Sequence, residues 1–69
     1  MSKLVEVFRA LLPCRASAAL VAFDARRMGL DVEERHAGEQ GVLVVASGLH
    51  ADPAIGERLQ LLARGKVAA

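Results

Sequence analysis

The chain lacks the residues on which several common kinds of protein depend. It has one cysteine, so no disulfide can form within the chain, and it has no tryptophan or tyrosine on which nucleic-acid bases could stack. Nine basic and eight acidic residues leave a net charge of +1, which is too little for a surface that binds phosphate backbones. We therefore expect no nucleic-acid partner.

Membrane and export signals are also missing from the sequence. No apolar run approaches the roughly 18–20 residues that a membrane span requires. Met1 to Arg9 has neither the basic start nor the long apolar stretch of a signal peptide. The expectation is a cytoplasmic protein with no membrane partner.

Apolar residues, by contrast, are abundant. They make up 54% of the 69 residues, and the length fits a single domain, residues 1–69. A chain this short has a high surface-to-volume ratio and can bury only a thin core. The composition therefore predicts that some apolar surface is left over.

The first half of the chain predicts a strand and then a helix. Leu4–Arg9 is β-branched and aromatic, as in a strand, and Pro13 prevents its continuation into a helix. Its alternation places two sets of side chains on opposite faces: Val5 and Val7 on one, and Leu4, Glu6 and Phe8 on the other. Arg15–Met28 contains no glycine or proline and predicts a helix that ends at Gly29. One stripe at helical spacing is expected to face the core: Ala16, Ala19, Leu20 and Phe23.

The second half predicts two strands and a second helix. The polar segment Asp31–His36 suits an edge strand, and Gly38–Gly41 suits a turn. Val42–Ala46 is apolar without alternation, which is typical of a central strand. A cap at Asp52 and a proline after it begin a helix that ends at Arg64 and Gly65. A glycine inside that helix, Gly56, requires a close packing contact to explain it.

The order strand, helix, strand, strand, helix predicts an α/β (α+β) two-layer sandwich, with room for a short last strand after the second helix. The first two strands should run parallel, and the second and third should form an antiparallel hairpin. The expected fold is ferredoxin-like or a truncated thioredoxin-like one.

Cys14 follows Pro13 at the predicted start of the first helix. Free backbone N–H groups and the positive end of the helix dipole stabilise a thiolate there, and Arg15 adds a cation beside it. Such a thiol is more reactive than a free cysteine. The competing interpretation is a small buried residue, which residue type alone favours because unpaired cysteines are often buried.

These residues resemble a family. The first half of the chain resembles the front half of glutaredoxins of the one-cysteine type and related thioredoxin-fold domains. The resemblance covers a strand, Pro13, Cys14-Arg15-Ala16-Ser17, a helix, Gly29 and a strand that begins Leu-Asp-Val-Glu-Glu. Ser47-Gly48-Leu49-His50, followed by the Leu59 to Lys66 segment, is similar to their last hairpin and helix. The resemblance implies that Cys14 is a nucleophilic thiol, that Ser17 stands at the second-cysteine position, and that glutathione or an iron–sulfur cluster is the cofactor. The chain has no helix between its second and third strands, and it has Gln40-Gly41 where the family has a proline.

A second, short resemblance concerns a histidine. The segment Gly48-Leu49-His50-Ala51-Asp52-Pro53-Ala54 resembles the active-site segment of the histidine-containing phosphocarriers of the sugar phosphotransferase system. It implies that His50 accepts a phosphoryl group at a helix N-terminus, where backbone N–H groups suit an anion. Asp52 stands where that family has an arginine. The alternative is a loop histidine before a capped helix.

No metal site is expected. Cys14, His36 and His50 are the soft or borderline ligands of the chain, and the sequence places them in separate loops or strand ends. Without the glutaredoxin resemblance, no cofactor is expected either.

The leading hypothesis is a small non-enzymatic module that pairs with itself as a homodimer or with a protein partner, as a regulatory or accessory protein. Leu61 falls opposite the apolar stripe of the second helix and should be exposed in a monomer. With Leu61, the interface residues expected on the apolar central strand are Val42 and Val44. A thiol protein using Cys14 and a phosphocarrier using His50 are the alternatives.

Overall fold

A computed structural model describes residues 3–50 and 52–64. Five main elements follow one another along the chain: β1 (Val5–Leu12), α1 (Arg15–Arg27), β2 (Asp31–His36), β3 (Val42–Gly48) and α2 (Pro53–Ala63). A short 3-10 helix at Gly38–Gln40 connects β2 to β3. The predicted order and the α+β fold are confirmed. The predicted end of the second helix at Arg64 is confirmed, since Arg64 is its C-cap, whereas Gly65 and the short last strand fall outside the described residues.

The sheet has the strand order β1-β3-β2, and β3 runs antiparallel to both neighbours. β1 and β2 therefore run in the same direction, as predicted, with β3 between them. This splits the β-α-β unit in the manner of ferredoxin-like folds. The prediction that the apolar segment at Val42 forms the centre of the sheet is confirmed, and the strand extends to Gly48.

β1 differs from its predicted alternation because it contains a bulge. Glu6 pairs with Ser47, and Phe8 pairs with the adjacent residue, Ala46, so Glu6 and Phe8 lie on opposite faces. The predicted placement of the two on one face is wrong, since Val7 is an extra residue in the pairing. The bulge turns Phe8 into the core, where it is 3% exposed.

α1 packs on the sheet with a different face from the predicted one. Its buried side chains are mostly small: Ala18, Val21, Ala22 and Ala25. Two of the residues expected in the core, Leu20 and Phe23, are 48% and 62% exposed. Both stripes have helical spacing, but they start two residues apart and so lie about 200° apart around the helix. The small-residue stripe allows the helix to approach the sheet closely.

The helix end was predicted correctly. Gly29 has a φ of 85°, and the backbone N–H of Leu30 donates to the carbonyl oxygen of Ala25 at 3.1 Å. This is the hydrogen-bond pattern of a glycine-capped helix C-terminus.

Both helices cover the same face of the sheet. Alternate residues of β3, from Val42 to Ala46, pack with Leu59 of α2 in one core cluster. A Cβ atom on Gly56 would lie 2.9 Å from the carbonyl oxygen of Val7, so the absence of a side chain lets α2 lie against β1 at the bulge. The expected close contact at Gly56 is confirmed. Neither helix of the described residues has the length and apolar character required to cross a membrane.

Candidate functional site

Cys14 lies at the start of α1, in the short connection that follows β1. Its backbone is extended, with φ −146° and ψ 163°, and its side chain is exposed. The interpretation of Cys14 as a buried residue is therefore wrong. Leu12 is the last residue of β1 in the core, and Pro13 carries the chain beyond the end of the sheet before the helix begins.

Ser17 contacts the thiol one helical turn later. The Cys14 Sγ and Ser17 Oγ atoms lie 3.3 Å apart, which is hydrogen-bond distance for sulfur. The Ser17 hydroxyl is the main cause that lowers the pKa of the Cys14 thiol, and the backbone N–H groups of Ser17 and Ala16 lower it further, against a smaller desolvation effect that raises it. The resemblance-based expectation places these two residues together, and the structure does so.

Cys14 lines an open cleft at one end of the sheet. Leu12 at the end of β1 and His36 at the end of β2 both pair with Val42 at the start of β3, so the three strands meet there. The cleft has a volume of about 350 Å³. Its lining is Pro13, Cys14, Arg15, His36, Gly38, Gly41 and Val42, which includes one arginine and one histidine but no carboxylate.

Cys14 and His36 both line the cleft, although they lie in separate segments of the sequence. After His36 the chain turns into β3 through Gly41, which has a φ of 117° and lies against the end of β1. A Cβ atom there would overlap the carbonyl oxygen of Leu12, at 1.9 Å, so only glycine fits. No sequence signal linked His36 to Cys14, because their proximity depends on strand pairing.

The groups implied by the glutaredoxin resemblance fit this site to different degrees. An iron–sulfur cluster requires thiolate ligands, four in the common forms, and the chain supplies one cysteine. It therefore provides no complete cluster site by itself. A small thiol such as glutathione needs only an accessible thiolate and room beside it, and the exposed Cys14 in an open cleft beside Arg15 offers both. Within the described ranges, no three His, Cys, Asp or Glu side chains come together to hold a metal ion.

His50 lies at the other end of β3. The strand from Val42 to Gly48 separates it from the cleft by about 20 Å, at 3.4 Å per residue. His50 is exposed and precedes α2, whose cap is Asp52. An Asp52 carboxylate oxygen accepts a hydrogen bond from the backbone N–H of Ala54 at 2.9 Å. The N-terminus of α2 therefore already holds a carboxylate of the chain itself.

The residues expected at an interface are divided between surface and core. Leu61 is 37% exposed, as the helical spacing predicts, whereas Val42 and Val44 are 4% and 0% exposed beneath the helices. The opposite face of β3, with Leu43 and Val45, is partly exposed.

A larger apolar surface lies on α1, and it consists of the residues that the helical spacing predicted to face the core. We call it the outer stripe: Ala16, Ala19, Leu20 and Phe23. All four residues are exposed. The guanidinium carbon of Arg27 lies 5.8 Å from the centre of the Phe23 ring, within cation–π range. The sequence does contain a signal for this exposed surface. Two apolar stripes lie on one helix, and a sheet can cover only one of them.

No protein-family model matches the chain, and no curated protein or solved structure matches it.

Proposed function

We propose that this chain is a small protein-interaction module, acting as a regulatory or accessory protein, that binds another polypeptide through the outer stripe of α1. The observation that carries the proposal is the exposure of Phe23, at 62%, on a helix whose other face already packs on the sheet. Exposed apolar patches bordered by polar residues are typical of protein-binding surfaces.

The energetics favour coverage of this surface by a partner. Full burial of a phenylalanine or leucine side chain is worth about 1.5–3 kcal/mol relative to exposure. Aromatic residues and arginine dominate binding energy at protein interfaces. The guanidinium group of Arg27 lies over the Phe23 ring, so both residue types are present at one position.

Site-specific photo-crosslinking in the producing cells tests the proposal. A benzoylphenylalanine placed at Leu20 or Phe23 should form a discrete protein adduct, whereas the same residue at Glu57, exposed on α2, should not. Adducts of equal yield at all three positions, or none at Leu20 and Phe23, would contradict the proposal.

The same experiment distinguishes a homodimer from a complex with a different protein. An adduct between two copies of the chain would identify self-association, and Leu61 would be the next residue to substitute. Sedimentation equilibrium gives an independent answer. A monomeric mass at high protein concentration would contradict a homodimer but would be compatible with binding to a different protein.

A second candidate function is thiol–disulfide exchange at Cys14. The observation that favours it is the 3.3 Å contact of the exposed thiol with Ser17 in an open cleft. In this reaction the Cys14 thiolate attacks one sulfur of glutathione disulfide, and a new S–S bond forms at Cys14 Sγ. The original S–S bond breaks, and the second glutathione leaves as a thiolate, so that Cys14 is oxidised as glutathione is reduced.

Mass spectrometry of the protein after incubation with glutathione disulfide tests this second function. The glutathionyl adduct should form on the wild-type chain faster than on an unstructured peptide with the sequence of residues 11–17. Cys14→Ser should abolish the adduct. Equal rates for protein and peptide would show that the fold does not activate the thiol and would contradict this function.

A further inference from the structure

We infer that the outer stripe of α1 binds an amphipathic helix of a different protein, whose own apolar stripe is bordered by aspartate or glutamate. This inference rests on the proposed function and specifies the chemistry of the partner. It follows from the shape of the stripe and from the charges at its two ends.

The shape of the stripe suits a helix. Its four residues follow the i, i+3, i+4, i+7 spacing by which one helix meets another. Ala16 and Ala19 leave a shallow region near the start of α1, and Leu20 and Phe23 project beside it. Rows of small and large side chains of this kind fit the ridges and grooves of a second helix.

The charges at the ends of the stripe are positive. Arg15 begins α1 and Arg27 ends it, and neither makes an ion pair with any residue in the part of the chain that the structure describes. Two carboxylates at α1 already have partners in the chain. Asp24 pairs with Arg58 of α2 at 3.1 Å, and Glu34 of β2 pairs with Arg26 at 3.2 Å.

These charges disfavour a second copy of the chain as the occupant. Two α1 helices placed stripe to stripe would bring together the Arg15 and Arg27 side chains of both copies. Neither copy offers a carboxylate of Asp24 or Glu34 that is not already paired. Like charges at an interface are repulsive, whereas acidic residues on the partner would complement both arginines.

Two designed peptides provide the test. Both carry the same leucine and alanine stripe on a helix, and the residues that border the stripe are glutamate in one and lysine in the other. Fluorescence anisotropy with the full chain should show the glutamate peptide binding about tenfold more tightly at low salt, as expected when two exposed ion pairs replace two like-charge contacts. The preference should fall as salt increases.

Variants assign the preference to the stripe. Phe23→Ser should weaken binding of both peptides, and the double variant R15E/R27E should reverse the preference. Arg9→Glu, on the exposed face of the sheet, should leave it unchanged. Circular dichroism verifies that each variant is folded.

Equal affinity of wild type for the two peptides, or an equal effect of Arg9→Glu, would overturn the inference. Formation of a Phe23-dependent homodimer in sedimentation would also overturn it. The proposed function fails separately, when no crosslinked adduct forms at Leu20 or Phe23. A crosslinked partner without an acidic preference would therefore refute only the inference.

Discussion

The pKa of the Cys14 thiol is lowered mainly by Ser17, three residues further along the chain in the first turn of α1. The exposed thiol has no charged group among the causes of its lowered pKa, and hydrogen bonds from Ser17 and the first backbone N–H groups of α1 are responsible. A hydrogen bond to a thiolate stabilises the charged form, so it lowers the pKa. The reactivity of this residue is therefore local in origin.

Ser17→Ala should raise the pKa of Cys14 and slow its alkylation at neutral pH. Removal of the hydroxyl takes away the largest stabilising contact of the thiolate, so a smaller fraction of the thiol is ionised at a given pH. The rate of iodoacetamide alkylation, measured against pH, should move to higher pH. Ser17→Thr retains a hydroxyl and should restore the profile, and Ser47→Ala on β3 should not change it. An unchanged profile for Ser17→Ala would contradict the assignment.

Among the secondary-structure elements, the connection between β2 and β3 also contacts the end of β1. It contains two glycines with positive φ, Gly38 at 64° and Gly41 at 117°. They differ in their surroundings: a Cβ atom on Gly38 meets nothing within 4 Å, whereas one on Gly41 overlaps Leu12. The connection therefore depends on Gly41 for contact and on Gly38 only for backbone conformation.

Gly41→Ala should be much more destabilising than Gly38→Ala. The cost at Gly38 is that of a left-handed conformation, about 1 kcal/mol. At Gly41 a steric overlap is added, and we expect about 3 kcal/mol in the free energy of unfolding. Urea unfolding monitored by circular dichroism measures both. Similar midpoints for the two variants would show that the loop does not approach Leu12 as described.

At the scale of the whole molecule, the two faces of α1 have different roles. Val21 is 0% exposed and lies in the core cluster, whereas Phe23, two residues later, is on the surface. The larger hydrophobic side chain is therefore the one left outside. A three-stranded sheet shared by two helices leaves little depth for large side chains beneath α1.

Val21→Ala should destabilise the fold, and Phe23→Ala should not. Loss of the two methyl groups of a fully buried valine costs about 2 kcal/mol. Removal of an exposed ring changes stability by about 0.5 kcal/mol or less. Urea unfolding at low protein concentration, where no association occurs, gives both values. A larger loss for Phe23→Ala would mean that the outer stripe is part of the core.

Most of the fold could be predicted, because its signals are local. Pro13, Gly29 and the Asp52–Pro53 pair act on the backbone next to them, and the structure has element boundaries at each. The candidate site was only partly predictable. Cys14 and Ser17 are one helical turn apart and could be placed together, but His36 joins them through the pairing of three strands.

Short-range sequence signals specify the order of the elements, the central position of β3 and the need for a close contact at Gly56. Each depends on backbone chemistry or on apolar content within a few residues. Contacts between elements determine which stripe of α1 faces the sheet and where the β1 bulge turns Phe8 inward. Two stripes satisfy the helical period equally well, and the choice depends on the space between helix and sheet, which no single segment specifies.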